Sequence, residues 1–271
     1  MLDLMIVPFC ATLLLTGIFA YFGIHIIERE VIFVDLALAQ IAALGAMVGL
    51  LFGIHLHSTA AYIFALPFTI LGAAIFALTR LRGRAVPQEA VIGIVYVVAT
   101  AASIILLNSS PSEAEHIKHM LVGNILFVQW PDIMRLAIVG GVIGLFHFVF
   151  RKRFLAISRD PKKAGLAAAA LSLWDFLFYV SLGLMVTASV ELAGVLLIFS
   201  YLVVPAACAM LVSSTLKARL AIGWITGAVC SLGGLSCSAA FDLPTGASIV
   251  CMFGVMFLAI ILWVSISKKP E

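Results

Sequence analysis

Charge is scarce in this chain: Asp, Glu, Lys and Arg make up 11% of its 271 residues, against about 25% in an average soluble domain. With 64% hydrophobic residues and a mean hydropathy of +1.22, water could not solvate its surface, and the bilayer is the expected solvent. Long alternating polar and apolar runs are missing too. The apolar stretches instead run for about 20 residues, which excludes a barrel and selects membrane-spanning helices. Reactive motifs are likewise absent: no G-x-S-x-G, no H-E-x-x-H, no aspartate-rich calcium loop and no G-x-x-x-x-G-K-[ST] phosphate loop. The chain is therefore not expected to be an enzyme or to hydrolyse ATP by the phosphate-loop route. None of the five cysteines, Cys10, Cys208, Cys230, Cys237 and Cys251, forms a Cys-x-x-Cys pair, and all lie in apolar stretches, as small buried residues do. A net charge of +3 is too small to argue for nucleic acid as a partner. Met1–Ile27 has no basic start and no small-residue cleavage site, so it reads as a retained first span. With no repeat, low-complexity linker or second domain apparent, 1–271 reads as a single transmembrane domain.

Nine apolar segments are present, at 3–27, 31–54, 60–79, 90–107, 132–150, 173–190, 192–213, 219–239 and 245–267. The expected fold is an all-α, polytopic helix bundle of about nine transmembrane helices. The shorter apolar stretch 116–130 ends in Gln129-Trp130-Pro131 and reads as a re-entrant or interfacial helix. Gly45, Gly49 and Gly53 on the second span, and Gly223 and Gly227 on the eighth, repeat every four residues. Small residues so spaced let helix backbones approach closely in lipid. Pro67 and Pro205 fall inside spans and predict kinks or unwound turns.

Basic residues set an orientation. Of sixteen Lys and Arg, fourteen (Arg29, Arg80, Arg82, Arg84, Arg151, Lys152, Arg153, Arg159, Lys162, Lys163, Lys217, Arg219, Lys268 and Lys269) fall on one side if the N-terminus lies outside. The positive-inside rule makes that side the cytoplasm, with the C-terminus there. Lys118 and Arg135 are the exceptions. The outer side gathers Asp3, Glu113, Glu115, Asp132 and Asp242 with His55, His57, His116 and His119. Such an acidic mouth raises the local concentration of cations.

Polar residues within the spans point to function, because a carboxylate at mid-membrane costs about 2.5–3.5 kcal/mol and needs a partner or a wet cavity. Asp35 and Gln40 lie on span two, five residues and so about 140° apart. Asp175 opens span six at the interface, Glu191 falls in the tight connection between spans six and seven, and Asp242 precedes span nine as a candidate N-cap. In the loop Arg159-Asp160-Pro161-Lys162-Lys163-Ala164-Gly165-Leu166, Asp160 as N-cap and Pro161 at the first helical position predict a short, basic, alanine-rich helix up to Ala170. It would either rest on anionic lipid or couple to a separate motor protein.

Ordered along the chain stand Gln88-Glu89-Ala90-Val91-Ile92-Gly93-Ile94-Val95-Tyr96, Leu121-Val122-Gly123-Asn124-Ile125-Leu126, Asp160-Pro161, Gly194-Val195-Leu196-Leu197, Val203-Val204-Pro205-Ala206-Ala207 and Asp242-Leu243-Pro244-Thr245-Gly246-Ala247-Ser248-Ile249-Val250. In these pieces the chain resembles the metal-importing ABC permease family, the group that takes up zinc, manganese or iron with a periplasmic or surface binding protein. The resemblance implies a permease in the plasma (inner) membrane of a prokaryote, carrying a divalent metal ion as substrate with no cofactor of its own. It also implies a homodimer, two cytoplasmic ATP-binding subunits engaging the 159–170 helix through Asp160, Pro161, Lys162, Lys163 and Gly165, and an extracytoplasmic metal-binding protein. Asp242 matches the family's aspartate before Leu-Pro.

Span two departs from the family, which reads Gly-Asp-Ala-Leu-Ser-His-Ala there. The corresponding stretch places Leu36 at the aspartate and Gln40 at the histidine, with Asp35 one residue early. On this reading Asp242 and Glu191 are the principal metal-path carboxylates, His116 and His119 are secondary metal candidates, and Asp35 is mainly structural. The missing histidine leaves a metal chelate or other small solute as an alternative cargo, and a non-transporting membrane scaffold or sensor as an alternative role.

Overall fold

A computed structural model of the chain describes residues 2–54, 58–80, 86–107, 125–160 and 167–267. Ten α-helices follow in order: α1 Leu2–Glu28, α2 Val34–Leu51, α3 Thr59–Arg80, α4 Gln88–Leu107, α5 Trp130–Val149, α6 Arg151–Arg159, α7 Ala168–Ala193, α8 Val195–Val212, α9 Leu216–Phe241 and α10 Thr245–Ser267. Among the described residues nine of these, all but α6, are long and apolar enough to cross a membrane. All-helical architecture follows from the solvent: in hydrocarbon, each span must satisfy its backbone groups within itself.

Two compact units form, each from separated stretches: Met1–Ile27, His119–Gly140 and Glu191–Glu271 in the first, Glu28–Lys118 and Gly141–Val190 in the second. In the first unit, α1 packs on α8 so closely that a Cβ on Gly23 would stand 1.8 Å from the Leu202 carbonyl oxygen. On the same helix Gly17 O accepts the Trp224 indole N–H at 3.2 Å. Gly223 and Gly227 meet Ala20 and Thr16 of α1, as the small-residue spacing predicts. Tyr201 of α8 is fully buried, 2.5 Å from the Ser231 hydroxyl of α9 and edge-on to Phe253 of α10.

In the second unit, α2 lies against α3 with Gly45 under Phe68 and Gly49 under Phe64. The third glycine of that series does something else. Gly53, at φ 79°, follows the end of α2, where its N–H bonds to Leu50 O at 2.9 Å. It closes the helix in a conformation that glycine adopts without steric cost. Thr69 of α3 and Thr187 of α7 meet at 3.1 Å, and Gln88 at the start of α4 donates to Phe76 O of α3 at 3.0 Å. The outward faces are apolar: Ile94, Val97, Val98 and Ile105 on α4 and Val255, Leu258 and Leu262 on α10 are exposed, as lipid-facing residues are.

Two expectations change. Trp130-Pro131 does not close a preceding helix; Trp130 opens α5, and Asp132 in its first turn accepts the Gln129 N–H at 3.0 Å. Proline costs little at that place because first-turn N–H groups have no intrahelical partner. Ile125–Phe127 form a single 3-10 turn, and 116–124 lie outside the described residues. The alanines at 168–170 belong to the 26-residue α7 and not to a separate helix, consistent with alanine's high helix propensity.

Candidate functional site

Asp175 lies in the second turn of α7 and, although its place near the start of that span suggests an interfacial residue, it is 0% exposed. Its Oδ1 accepts Nη1 of Arg29 at 2.7 Å and Nη1 of Arg80. Arg29 stands in the short link after α1, Arg80 at the last residue of α3. Arg29 also donates from Nε to Ser158 Oγ of α6 at 2.7 Å and lies 3.9 Å from the centre of the Phe178 ring. Burial draws the Arg29 guanidinium below its usual range, Asp175 opposes that shift, and Arg80 adds to it. Four separate stretches are thus clasped by one carboxylate, and a buried charge so paired is costly to break. No sequence proximity joins 29, 80, 158 and 175. The available signal was the rule that a charge within an apolar segment needs a partner.

A polar seam runs between α2 and α4. Asp35, second residue of α2, is 2% exposed. First-turn backbone N–H groups serve one side of its carboxylate, whereas Oδ1 is buried without a hydrogen-bond partner among the described residues. Glu89, second residue of α4, accepts the Ile32 N–H through Oε1, and its Oε2 is likewise buried with no hydrogen-bond partner among the described residues. The Glu89 charge acts on Asp35, and among the described residues neither carboxylate has an ion pair. Gln40 donates from Nε2 to Ser103 Oγ of α4 at 3.3 Å, which leaves its amide oxygen for another ligand. A buried carboxylate without a counter-charge is a cost. Glu89 entered the sequence reading only as part of a motif; its place in the first turn of α4, one helix end among several, did not single it out.

The other two carboxylates sit in the first unit. Glu191 lies in the last turn of α7, where only Gly194, at φ 79°, separates α7 from α8. The carboxylate is 3.8 Å from Nη1 of Arg135, with both side chains about two-fifths exposed (37% and 42%). Arg135, an exception to the basic-side pattern, thus has an acidic neighbour. Asp242 does not cap α10. It ends α9 in the left-handed conformation at φ 52° and ψ 43°, its N–H bonded to Ser238 O. Asp tolerates that region better than most side chains. Ser238 Oγ bonds to Leu243 O at 2.7 Å and to Thr245 Oγ1 at 2.8 Å, so the corner is held by serine and the exposed Asp242 carboxylate is left to solvent.

Asp160 ends α6 with an extended backbone, its N–H bonded to Ala156 O at 3.0 Å; the helix it was expected to cap starts among residues outside those described. Pro161, Lys162, Lys163 and Gly165, together with His116 and His119, lie outside the described residues. Among the described residues no group of three or more His, Cys, Asp or Glu converges as a metal cage. Asp35 and Gln40 belong to the second unit, Asp242 and Glu191 to the first.

Comparison with known proteins places the chain. A family model described as the ABC 3 transport family matches residues 1–264. The manganese import system permease protein ScaB of Streptococcus gordonii is 29% identical over 237 residues, covering 87% of this chain and 82% of that protein. A Haemophilus influenzae protein named as a probable iron transport system membrane protein is 29% identical over 209 residues, covering 75% and 74%. Among solved structures, PsaBC from Streptococcus pneumoniae in complex with Fab matches with a TM-score of 0.74 at 28% identity, covering 93% of this chain and 89% of that one.

Proposed function

The chain belongs to the ABC 3 transport family, and from that premise we propose that it is the transmembrane permease subunit of an ATP-binding-cassette importer for divalent metal ions such as manganese, iron or zinc. The observation that carries this reading is the family match over 1–264, which reaches from the first into the last of the nine apolar helices found among the described residues. Relatives named for manganese and iron transport support the cargo class. The chain is a multi-pass prokaryotic membrane protein. Its distribution of Lys and Arg favours an outside N-terminus and a cytoplasmic C-terminus.

In this proposal two copies of the permease pair, a binding protein delivers metal from outside, and separate ATP-binding subunits engage the 159–170 segment. A cation crossing low-dielectric protein needs negative charge along its way, because uncompensated burial costs several kcal/mol. Asp242 and Glu191 are the outer carboxylates that draw it in, and the half-exposed Arg135 beside Glu191 moderates that charge. Asp35 and Glu89 supply buried oxygens at the basic-rich end of α2 and α4, with the amide oxygen of Gln40 deeper on α2. Gln40 stands where the family has histidine. A neutral amide is a poorer ligand for zinc than imidazole, an observation that also favours a chelated metal as cargo.

The test is reconstitution of the permease with its ATP-binding subunits and binding protein, scanning ATPase stimulation across Mn²⁺, Fe²⁺ and Zn²⁺. Stimulation by one free cation supports the reading. Stimulation by a chelate alone shifts it to the second cargo, and none by either contradicts it.

A further inference from the structure

The α5–α6 corner carries a feature that the importer reading does not use. Phe150 breaks the helix between α5 and α6, and the chain around it, Phe148 through Arg153, lines an open cleft of about 460 Å³. One wall is apolar, with Phe148 and Val149 each more than 60% exposed; the other is basic, with Arg151, Lys152 and Arg153 all exposed. Between Arg151 and Arg159 there are four basic residues and no acidic one.

The orientation of α6 is fixed from beneath. Phe154 and Ile157 are fully buried, and Ser158 is held by Arg29 at 2.7 Å. The basic side chains therefore face outward by construction. Two are pre-oriented on rings: the Arg151 guanidinium lies 4.5 Å from the centre of Phe148, and that of Arg153 lies 5.0 Å from the centre of Trp174. A guanidinium stacked by its face keeps its in-plane N–H groups for an acceptor.

The apolar wall continues up α5. Val142, Leu145 and Val149 follow one another at spacings of three and four, so they share a face, and all are about two-thirds exposed. A free phosphate would use the basic wall and leave this face unaccounted for. An acyl chain below a charged headgroup fits both.

We infer that the cleft between the end of α5 and the start of α6 is a binding site for an anionic phospholipid, its phosphate on Arg151, Lys152 and Arg153 and its acyl chain along Val142, Leu145 and Val149. Basic residues next to a membrane attract anionic lipid by about fivefold each. The shared apolar face adds specificity for a lipid over a soluble anion. The inference requires only that the chain sits in a membrane.

The experiment is native mass spectrometry and thermal melting of the purified full-length chain, titrated with phosphatidylglycerol, phosphatidylcholine or inorganic phosphate. Wild type is expected to retain phosphatidylglycerol at least tenfold better than phosphatidylcholine and to melt higher with it. The R151Q/K152Q/R153Q variant should lose that preference while melting as wild type does in phosphatidylcholine. K152Q alone serves if the triple variant is not produced, with a preference reduced about fivefold. Equal retention of the two lipids, an unchanged preference in the variants, or full stabilisation by inorganic phosphate alone would each overturn the inference. So would a variant that keeps its lipid preference yet releases the ATP-binding subunits, since the basic wall would then be a protein-docking surface.

Discussion

Asp175 and Arg29 are 146 positions apart in sequence, yet Asp175 Oδ1 stands 2.7 Å from Arg29 Nη1 with neither side chain exposed. Through Arg29 the contact reaches Ser158 of α6, the helix that leads to Asp160 and the proposed coupling segment. Through the same carboxylate it reaches Arg80 at the end of α3.

Asp175→Asn is expected to lower stability strongly, because it leaves two guanidiniums without their shared anion. Removal of one partner from a buried ion pair costs about 3–5 kcal/mol. Thermal melting of the detergent-solubilised protein measures this. A melting temperature equal to wild type would show that the clasp contributes nothing net.

Asp35→Asn and Glu89→Gln are expected to behave oppositely. Each removes a buried charge that has no ion-pair partner among the described residues, so melting should stay the same or rise. Metal uptake by the reconstituted complex should fall by about tenfold or more, equivalent to raising the transport barrier by roughly 1.4 kcal/mol. Reduced melting with normal uptake would return both residues to a structural role.

Gly23→Ala is expected to disrupt the first unit, since its Cβ would lie 1.8 Å from the Leu202 carbonyl oxygen, a backbone atom. Overpacking of this kind costs about 1–3 kcal/mol. Gly254→Ala, with nothing within 4 Å of the added carbon, should be neutral. Equal melting of the two variants would contradict the packing of α1 on α8.

Asp242→Asn with Glu191→Gln is expected to reduce metal uptake severely while leaving stability nearly intact. Asp242 holds its corner through backbone, and asparagine tolerates the same left-handed conformation. The Glu191–Arg135 pair is exposed and 3.8 Å long, so its loss costs about 0–1 kcal/mol. Normal uptake in the double variant would remove both carboxylates from the path.

Much of the fold was legible because its signals are local. Twenty-residue apolar runs and the spacings Gly45–Gly49 and Gly223–Gly227 each depend on residues near in sequence, and the structure keeps them. Local signals misled where two roles share one residue type. Gly53 extends the glycine series but closes a helix, and Asp242, a good N-cap residue by type, ends the helix before it. The clasp around Asp175 and the shared burial of Asp35 and Glu89 depend on which helices lie together. No spacing within a helix encodes that, and the burial of one partner becomes visible only when the other is in place.

The account's central claim is that this chain forms the path for a divalent metal ion driven by ATP in a partner subunit. Uptake of radioactive ⁵⁴Mn²⁺ into proteoliposomes holding the permease, its ATP-binding subunits and the binding protein tests it most directly. The account predicts accumulation that requires ATP inside the system and falls sharply in the Asp242→Asn, Glu191→Gln variant. Accumulation independent of ATP, or none with manganese, iron or zinc in any form, would contradict it.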